Sequence, residues 1–322
     1  MNKNNVVAID KEESPEATLV ERVQNEIDEY GLKQNEVVKE AGLSGRGSTS
    51  SFNQWLKGKY NGDNHALSAK LERWLASRSE RRQAAATLPT PPLYLDIPTA
   101  KKITTTLSYA QMAKVMAAIY GGAGMGKTVS CKNYSELFPN VWHVELTADA
   151  GGPAECAREI CMVMGITPSG NASAMRRDIV RRAKNSNGLI IIDEAQFLKP
   201  RTLEYMRGIW VQAGIGMVLV GNETVYTQLT GGRRAAEFAQ LFSRISKRQR
   251  LNKPLSGDVA GLLDAWKIKG KEERQLLMDI ASRPGLLRGM TETIRLASMF
   301  SHGEPVKANH IKAAWRDLGG ES

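Results

Sequence analysis

The sequence predicts an α/β fold, with a parallel sheet covered by helices on both faces and all-helical segments before and after it. Four short runs of apolar residues predict the strands, and helix-length segments separate these runs along the chain. Most of these runs are continuously apolar rather than alternating, which is typical of parallel strands buried on both faces. The runs cover residues 115–120, 141–146, 189–192 and 217–220. After residue 252 only helical spacing of apolar residues is found.

Composition indicates a folded protein of a reducing compartment. The 322 residues carry a net charge of +10 and are 42% hydrophobic, which excludes wholesale disorder. No stretch reaches the roughly 18 apolar residues of a membrane span, and the N-terminus lacks the apolar core of a signal peptide. Cys131, Cys156 and Cys161 are odd in number and have no metal-ligand spacing, so we expect free thiols. These features predict a cytoplasmic protein without membrane contact.

The chain divides into five predicted segments. Residues 1–16 are polar and acidic and are expected to form a disordered tail. Residues 17–78 predict four short helices with a glycine-containing turn between the second and third, which is typical of a helix-turn-helix; a small helical bundle for protein contacts is the alternative. Residues 79–98 include four prolines and predict an extended linker. Residues 99–252 form the predicted α/β core, and residues 253–322 a helical C-terminal domain.

A glycine-rich loop follows the first predicted strand. It fits the pattern G-x-x-x-x-G-K-[ST] and consists of Gly121, Gly122, Ala123, Gly124, Met125, Gly126, Lys127 and Thr128. Glycines let backbone N–H groups surround a triphosphate at the start of a helix, where the helix dipole also favours negative charge. In this pattern the Lys127 ammonium reaches the β- and γ-phosphates, and the Thr128 hydroxyl is a ligand of Mg²⁺. The loop therefore predicts binding of ATP with Mg²⁺.

Two carboxylates follow the third apolar run. Residues 189–192 bring Asp193 and Glu194 to the carboxyl edge of the predicted sheet, next to the loop. Asp193 is predicted to hold the Mg²⁺ shell, and Glu194 to orient or polarise the attacking water. Phosphoryl transfer needs positioning and charge neutralisation more than covalent chemistry, so the pair predicts hydrolysis. An apolar run followed by Asp-Glu can also be an ordinary strand end, and the phosphate loop decides for the catalytic interpretation.

With these two motifs the sequence resembles the AAA+ ATPases, and the resemblance implies three further site residues. Asn222, at the end of MVLVGN, matches a polar sensor of the γ-phosphate; a strand-terminating turn is the alternative. Arg244, in LFSRI, matches an arginine finger that reaches a neighbouring subunit's nucleotide, with Arg233 or Arg234 as alternatives. Arg288, in PGLLR, matches a second sensor in a helical lid. An exposed surface arginine and a helix-start arginine are the respective non-catalytic alternatives.

The sequence is also similar, over nearly its whole length, to the target-capture ATPases of transposing phages of the Mu type. The likeness depends on motifs that occur in one order: the helix-turn-helix-like segment, the proline-rich linker, GGAGMGKT, LIIIDEA, LVGN and TGGRRAAEFAQLFSRISKR. It implies an ATPase that forms a helical filament on double-stranded DNA with little sequence preference, in the cytoplasm of a bacterial host. It further implies that this DNA is delivered to the transposase of the same element, which stimulates hydrolysis.

Positive charge is concentrated in the predicted core. Residues 99–250 carry 20 basic and 11 acidic side chains, whereas residues 1–78 carry 11 and 12. A basic core favours phosphate-bearing partners such as DNA, with a solvated surface as the alternative. The expected DNA contacts are Arg176, Arg177, Arg181, Arg233, Arg234, Lys247 and Arg248. Two other functions remain open on sequence alone: a helix-turn-helix DNA-binding regulator gated by ATP, and an AAA+ helicase loader.

Overall fold

The computed structural model describes residues 15–43, 45, 47–87, 94–230 and 244–321. The chain forms two compact units, Met1–Thr87 and Leu88–Ser322. Most of the predicted N-terminal tail lies outside the described residues, and so do Arg233 and Arg234.

Four helices build the first unit. They are α1 (Pro15–Tyr30), α2 (Gln34–Glu40), α3 (Ser48–Leu56) and α4 (Asn64–Thr87). Their apolar faces share one core around Val23, Val37, Phe52 and Leu71, which are fully buried. The periodicity of the sequence thus locates the four helices, and α3, the helix after the glycine-containing turn, begins at Ser48.

Helix α4 extends further than the sequence predicts. It continues to Thr87, so residues 79–87, which were expected to begin the extended linker, are helical. This stretch contains no glycine or proline and holds two arginines and three alanines, which are strong helix formers. The prolines begin at residue 89, and only from there does the sequence oppose a helix.

A five-stranded parallel sheet forms the centre of the second unit. Its strands are β1 (Met116–Gly121), β2 (Val141–Glu145), β3 (Leu189–Asp193), β4 (Gly216–Gly221) and β5 (Ile245–Leu251). The strand order is β2-β3-β4-β1-β5, and each hydrogen-bonded pair is parallel. Because parallel strands end at the same edge, the loop after β1 and the carboxylates at the end of β3 lie at one edge. The predicted α/β fold with a parallel sheet is confirmed.

Helices cover both faces of this sheet. Two of them pack on one face, α5 (Pro98–Ala113) and α6 (Lys127–Leu137). Three pack on the other, α7 (Pro153–Val163), α8 (Ala172–Ala183) and α9 (Pro200–Ala213), and α10 (Glu223–Thr230) follows β4. Along β1, Ala117 and Ile119 belong to the first core and Ala118 and Tyr120 to the second. This alternation explains why the inner strands are apolar at every position.

Strand β5 has no counterpart among the predicted strands. Its sequence ISKRQRL is apolar only at its two ends, Ile245 and Leu251, and both of these side chains are buried. The five residues between them are polar or charged and alternate between exposed and half-buried positions. Because β5 is an edge strand, its charged residues can reach solvent. A search for continuous apolar runs therefore misses it.

Four further helices complete the second unit. They are α11 (Ser256–Ala265), α12 (Lys271–Ala281), α13 (Leu286–Phe300) and α14 (Ala308–Asp317). Leu263, Leu277, Met290 and Ile311 form the centre of their own core. Among the described residues no strand follows β5, as the helical spacing predicts. In the part of the chain that the structure describes, no helix has the length and apolar character needed to cross a membrane.

A buried carboxylate joins the C-terminal helices to α5. Asp258, in the first turn of α11, accepts hydrogen bonds from the backbone N and the Oγ1 of Thr99 at 2.7 and 2.5 Å. It also accepts one from the backbone N of Leu255 at 2.7 Å. Asp258 is 0% exposed and Thr99 1%. These bonds attach the start of α11 to the start of α5.

Candidate active site

The glycine-rich loop connects β1 to α6 and requires glycine at defined positions. Gly121, Gly124 and Gly126 have φ angles of 146°, 84° and 75°, a region that L side chains rarely adopt. A Cβ atom on Gly124 would also collide with the carbonyl oxygen of Gly285, at the start of α13. The loop thus packs closely against the C-terminal helices, and Lys127 is the first residue of α6. The first N–H groups of a helix have no partner within it and favour an anion at that end.

A cavity of about 380 Å³ lies between the loop, the carboxyl ends of β3 and β4, the segment before α5 and the C-terminal helices. Loop residues 123–128 line one side of it, together with Glu194, Asn222 and Arg288. The sequence therefore predicted residues from four separate segments that the fold brings to one cavity. Gly121, the last residue of β1, and Gly122 begin the loop and do not line the cavity.

The Lys127 side chain lies against the loop. Its Nζ donates hydrogen bonds to the carbonyl oxygens of Gly121 and Gly122, at 3.0 and 2.8 Å. Burial lowers the pKa of the Lys127 ammonium from its usual value, while the carboxylates of Asp193 and Glu194 oppose that shift. A partly desolvated cation interacts strongly with any anion that enters the cavity, because water screens it less.

The two carboxylates at the end of β3 occupy different environments. Asp193 is 0% exposed; its Oδ1 accepts a hydrogen bond from the backbone N of Glu194 at 2.9 Å, and its Oδ2 lies 3.2 Å from Nε2 of His143 on β2. Both oxygens of Asp193 are thereby oriented. Glu194 is half-buried and lines the cavity, and its backbone is left-handed, with φ 54° and ψ 37°. A non-glycine residue in this region is uncommon and is often found at functional sites.

Asn222 follows β4 and lines the cavity, and its side chain also has a structural partner. Its Oδ1 accepts a hydrogen bond from the backbone N of Thr224 at 2.8 Å, at the start of α10. Its own backbone N donates to Oε1 of Gln196 at 3.3 Å. Asn222 therefore lines the cavity and also forms the strand-terminating turn, and its role as a sensor stays a prediction.

The structure treats the two predicted arginines differently. Arg288, in the first turn of α13, lines the cavity beside the loop. Arg244 is exposed, directly precedes β5 and does not line the cavity of its own chain. An arginine finger acts on the site of a neighbouring subunit, so it is not expected to line the cavity of its own chain. The finger role of Arg244 therefore stays a prediction. Its alternatives, Arg233 and Arg234, lie outside the described residues.

The expected DNA contacts lie in two described regions. On α8, Arg177 and Arg181 are exposed, and Arg181 forms an ion pair with Asp178 at 2.6 Å. Arg176 is half-buried and its guanidinium lies over the Tyr205 ring, 5.8 Å from the centroid. On β5, the Nζ of Lys247 lies 5.8 Å from the centroid of the Tyr109 ring, and Arg248 is exposed. Lys247 and Arg176 thus also contribute to packing.

Several residues of the cavity were not singled out from the sequence. Apolar side chains also line the cavity, namely Tyr94, Leu95, Ile97, Leu262 and Trp266. They come from the linker and from α11, far apart in the chain, and generic apolar residues carry no motif. Ser130 and Thr291 are polar lining residues that were also missed. His143 and Gln196 do not line the cavity but contact residues of the site, and they were missed too, although Gln196 lies directly after the DEA of LIIIDEA. Their partners become visible only once β2, β3 and β4 are placed side by side.

Two family models match the second unit. Residues 111–229 match the AAA domain, which includes the phosphate loop and the carboxylate pair. Residues 243–318 match the model described as Mu B transposition protein, C terminal. The second model begins just before β5 and covers the C-terminal helices.

Three relatives extend the match over most of the chain. The ATP-dependent target DNA activator B of Escherichia phage Mu is 39% identical over 286 residues, which are 88% of this chain and 89% of that protein. The protein of the same name from Escherichia phage D108 is 38% identical with the same coverage. The Mu-like prophage FluMu DNA transposition protein B of Haemophilus influenzae is 31% identical, over 86% of this chain and 95% of that protein. This chain, with its AAA ATPase domain, belongs to the family of the Mu B transposition proteins.

Proposed function

We propose that this protein is an ATPase that assembles on target DNA in its ATP-bound form and delivers that DNA to the transposase of the same element. One observation carries the ATPase part: the phosphate loop, Glu194, Asn222 and Arg288 line a single cavity. The names of the relatives, ATP-dependent target DNA activator B, support the DNA part. Hydrolysis is expected to rise with DNA and with the transposase, and to end the DNA-bound state.

The side chains of the cavity suit phosphoryl transfer to water. The backbone N–H groups of the loop and the Lys127 ammonium are placed to neutralise the β- and γ-phosphates. Glu194, at the cavity wall, accepts a proton from, or orients, the attacking water. Asn222 and Arg288 approach from β4 and α13 and contact the γ-phosphate as sensors. The apolar side chains of the lining provide a surface for the adenine base, and the polar lining residues are left to the phosphates.

The donor chemistry of the site fits Mg²⁺. Thr128 lines the cavity, and Asp193 is buried at the end of β3, directly before the lining residue Glu194. Hydroxyl and carboxylate oxygens are the ligands that Mg²⁺ prefers. His143 and the backbone N of Glu194 hold the carboxylate of Asp193 in one orientation. Thr128 and Asp193 would hold the ion, which when bound neutralises charge on the phosphate oxygens.

The basic surface of the second unit is the proposed DNA contact. The candidates on α8 are Arg176, Arg177 and Arg181, and those on β5 are Lys247 and Arg248. Arg233 and Arg234 are further candidates and lie in sequence between residues 111–229 and 243–318, the ranges that the two family models match. Contacts between such side chains and phosphates carry no base information, which agrees with binding of little sequence preference. The proposed domain roles follow: residues 99–252 bind nucleotide, residues 253–322 form the lid, and residues 17–78 are a helix-turn-helix-like appendage joined by the linker.

Steady-state ATP hydrolysis tests this function. Wild type, K127A and K132A are assayed across a protein concentration series, with and without non-specific duplex DNA. Lys132 is an exposed lysine of the same helix and serves as the matched control. We expect turnover that rises with concentration and DNA in wild type and K132A, and none in K127A. Absence of turnover in every condition, including with the transposase present, would contradict an ATPase and favour an ATP-gated regulator. In a separate pull-down, binding of a replicative helicase instead of the transposase would favour a helicase loader.

A mixing experiment tests the arginine finger and oligomerisation together. R244A retains Glu194 but lacks the finger, and E194Q retains the finger but lacks the base, so each alone is expected to be inactive. If Arg244 acts on a neighbour's site, a mixture of the two regains activity, because an R244A subunit receives Arg244 from an adjacent E194Q subunit. No recovery in a mixture shown to co-assemble would contradict the role of Arg244 and direct the search to Arg233 and Arg234. Electron microscopy of the DNA-bound protein tests for a helical filament.

A further inference from the structure

Gln196 connects two parts of the cavity that are distant in sequence. It lies in the 3-10 helix Ala195–Phe197, directly after Glu194. Its side-chain Nε2 donates a hydrogen bond to Oε2 of Glu194. Its Oε1 accepts a hydrogen bond from the backbone N of Asn222, at 3.3 Å, on the adjacent strand end. One amide group therefore joins the end of β3 to the end of β4.

The end of β4 is shaped to receive this side chain. A Cβ atom on Gly221 would collide with Oε1 of Gln196 and would lie 2.6 Å from Cγ2 of Val225. Gly221 is buried, and its φ lies outside the left-handed region, so space rather than backbone conformation requires glycine here. A larger residue at this position would displace Gln196 from the backbone of Asn222.

The chemistry of the bridge requires an amide. The Glu194 carboxylate can only accept a hydrogen bond, whereas the backbone N–H of Asn222 can only donate one. A side chain that joins them must donate at one end and accept at the other. Glutamine does both, glutamate would place two carboxylates together, and leucine of similar size does neither.

We propose that Gln196 is a positioning residue for ATP hydrolysis, which holds the Glu194 carboxylate and couples it to the sensor position Asn222. The bridge engages Oε2 of Glu194 and leaves Oε1 as the oxygen that can accept a hydrogen bond from water. It also fixes the distance between the general base and the residue proposed to sense the γ-phosphate. This inference rests on the proposed ATPase function and assigns it a further residue, which acts through Glu194 and does not itself line the cavity.

Single substitutions separate this role from a structural one. Q196L and Q196E are compared with Q212L and Q212E, since Gln212 is an exposed glutamine of α9 in the same unit. A misplaced general base is expected to lower kcat of Q196L and Q196E by about 10- to 100-fold. The dissociation constant for ATP, measured with a fluorescent analogue, is expected to stay within about 2-fold, because the phosphate loop is unchanged. The Gln212 variants are expected to match wild type in both.

A double substitution identifies the residue through which Gln196 acts. In an E194Q background the base is already absent, so adding Q196L is expected to lower the residual single-turnover rate by less than about 2-fold. A further 10-fold loss in that background would overturn the proposal, because Gln196 would then act independently of Glu194. Unchanged kcat in Q196L, or equal loss of kcat and ATP affinity with a lowered melting temperature, would also overturn it.

The same series keeps the two levels of inference apart. If wild type hydrolyses ATP, E194Q does not, and Q196L equals wild type, the ATPase function stands and the role of Gln196 is refuted. If wild type shows no turnover with DNA and transposase present, the proposed function fails, and the role of Gln196 fails with it.

Discussion

The buried Asp258 is expected to stabilise the second unit more than any surface carboxylate of the same helix. Replacing it by alanine removes the acceptor of three hydrogen bonds. The backbone N–H and the hydroxyl of Thr99, a residue that is 1% exposed, then lose this acceptor while buried. The N–H of Leu255 is less affected, because this residue is 36% exposed and water can reach it. The loss is therefore set mainly by two buried donors on Thr99.

The magnitude follows from the cost of buried unsatisfied groups. Each such donor costs about 1–3 kcal/mol, so D258A, which affects two of them, is expected to lower the free energy of unfolding by about 2–6 kcal/mol. D258N keeps the shape and one acceptor oxygen but turns an NH2 group toward donors, and is expected to cost about half as much. D264A is the matched control: Asp264 also lies in α11, but its ion pair with Arg274 is exposed, and such pairs contribute less than about 1 kcal/mol.

Urea unfolding followed by tryptophan fluorescence and circular dichroism measures these differences. Four tryptophans, Trp142, Trp210, Trp266 and Trp315, report on the second unit. The expected order of destabilisation is D258A, then D258N, then D264A. A D258A protein within about 1 kcal/mol of wild type, or a D264A protein as unstable as D258A, would show that the bond from α11 to α5 is not a major source of stability.

Three further predictions concern the loop, the charge and the thiols. G124A is expected to weaken ATP binding by at least about 10-fold, because φ of 84° and the Gly285 carbonyl both oppose a Cβ atom. G126A is the comparison, since a Cβ atom there is strained by the backbone but collides with nothing. Equal effects of the two substitutions would show that the contact with Gly285 is not important for ATP binding. DNA affinity is expected to fall steeply between about 50 and 200 mM salt. Charge reversal at Arg177 and Arg248 is expected to reduce the slope of log affinity against log salt concentration. An unchanged slope would show that these two residues are solvated and do not contact DNA. Burial raises the pKa of the Cys156 thiol to about 12, and it raises the pKa values of the Cys131 and Cys161 thiols above their usual value. Ellman's reagent is therefore expected to label no thiol rapidly at pH 8 in the native protein and three thiols after denaturation. Rapid labelling of the native protein would contradict this burial.

The sequence predicts the inner parts of this fold better than its edges. Apolar runs identify β1, β3 and β4 because burial on both faces leaves almost no polar position on these central strands, and the edge strand β2 keeps enough apolar residues to be found as well. Strand β5 escapes because its interior is SKRQR, and the last turns of α4 escape because the linker prolines begin two residues after Thr87. Both misses come from treating the strongest local signal as the boundary of the element.

The site shows the same division between local and tertiary information. Lys127 belongs to a motif of fixed spacing, Glu194 follows an apolar run, and Asn222 and Arg288 are implied by the resemblance to the AAA+ ATPases. All four line the cavity. The partners of these residues are set by strand order instead. His143 meets Asp193 because β2 lies beside β3, and Gln196 meets Asn222 because β4 lies on the other side. No spacing along the chain encodes such neighbours.

Strand β5 gives the ATPase core a built-in mechanical link. It begins directly after Arg244, and its last carbonyl, that of Leu251, accepts a hydrogen bond from the backbone N of Gly122 at 3.1 Å. Seven residues of extended chain span about 23 Å and are stiff along their length. Under the proposed role of Arg244, the residue before β5 contacts a neighbouring subunit's nucleotide, and the last residue of β5, Leu251, is hydrogen-bonded to the chain's own phosphate loop. A displacement at one site would then be transmitted to the next along a single strand, and successive subunits would be coupled in series.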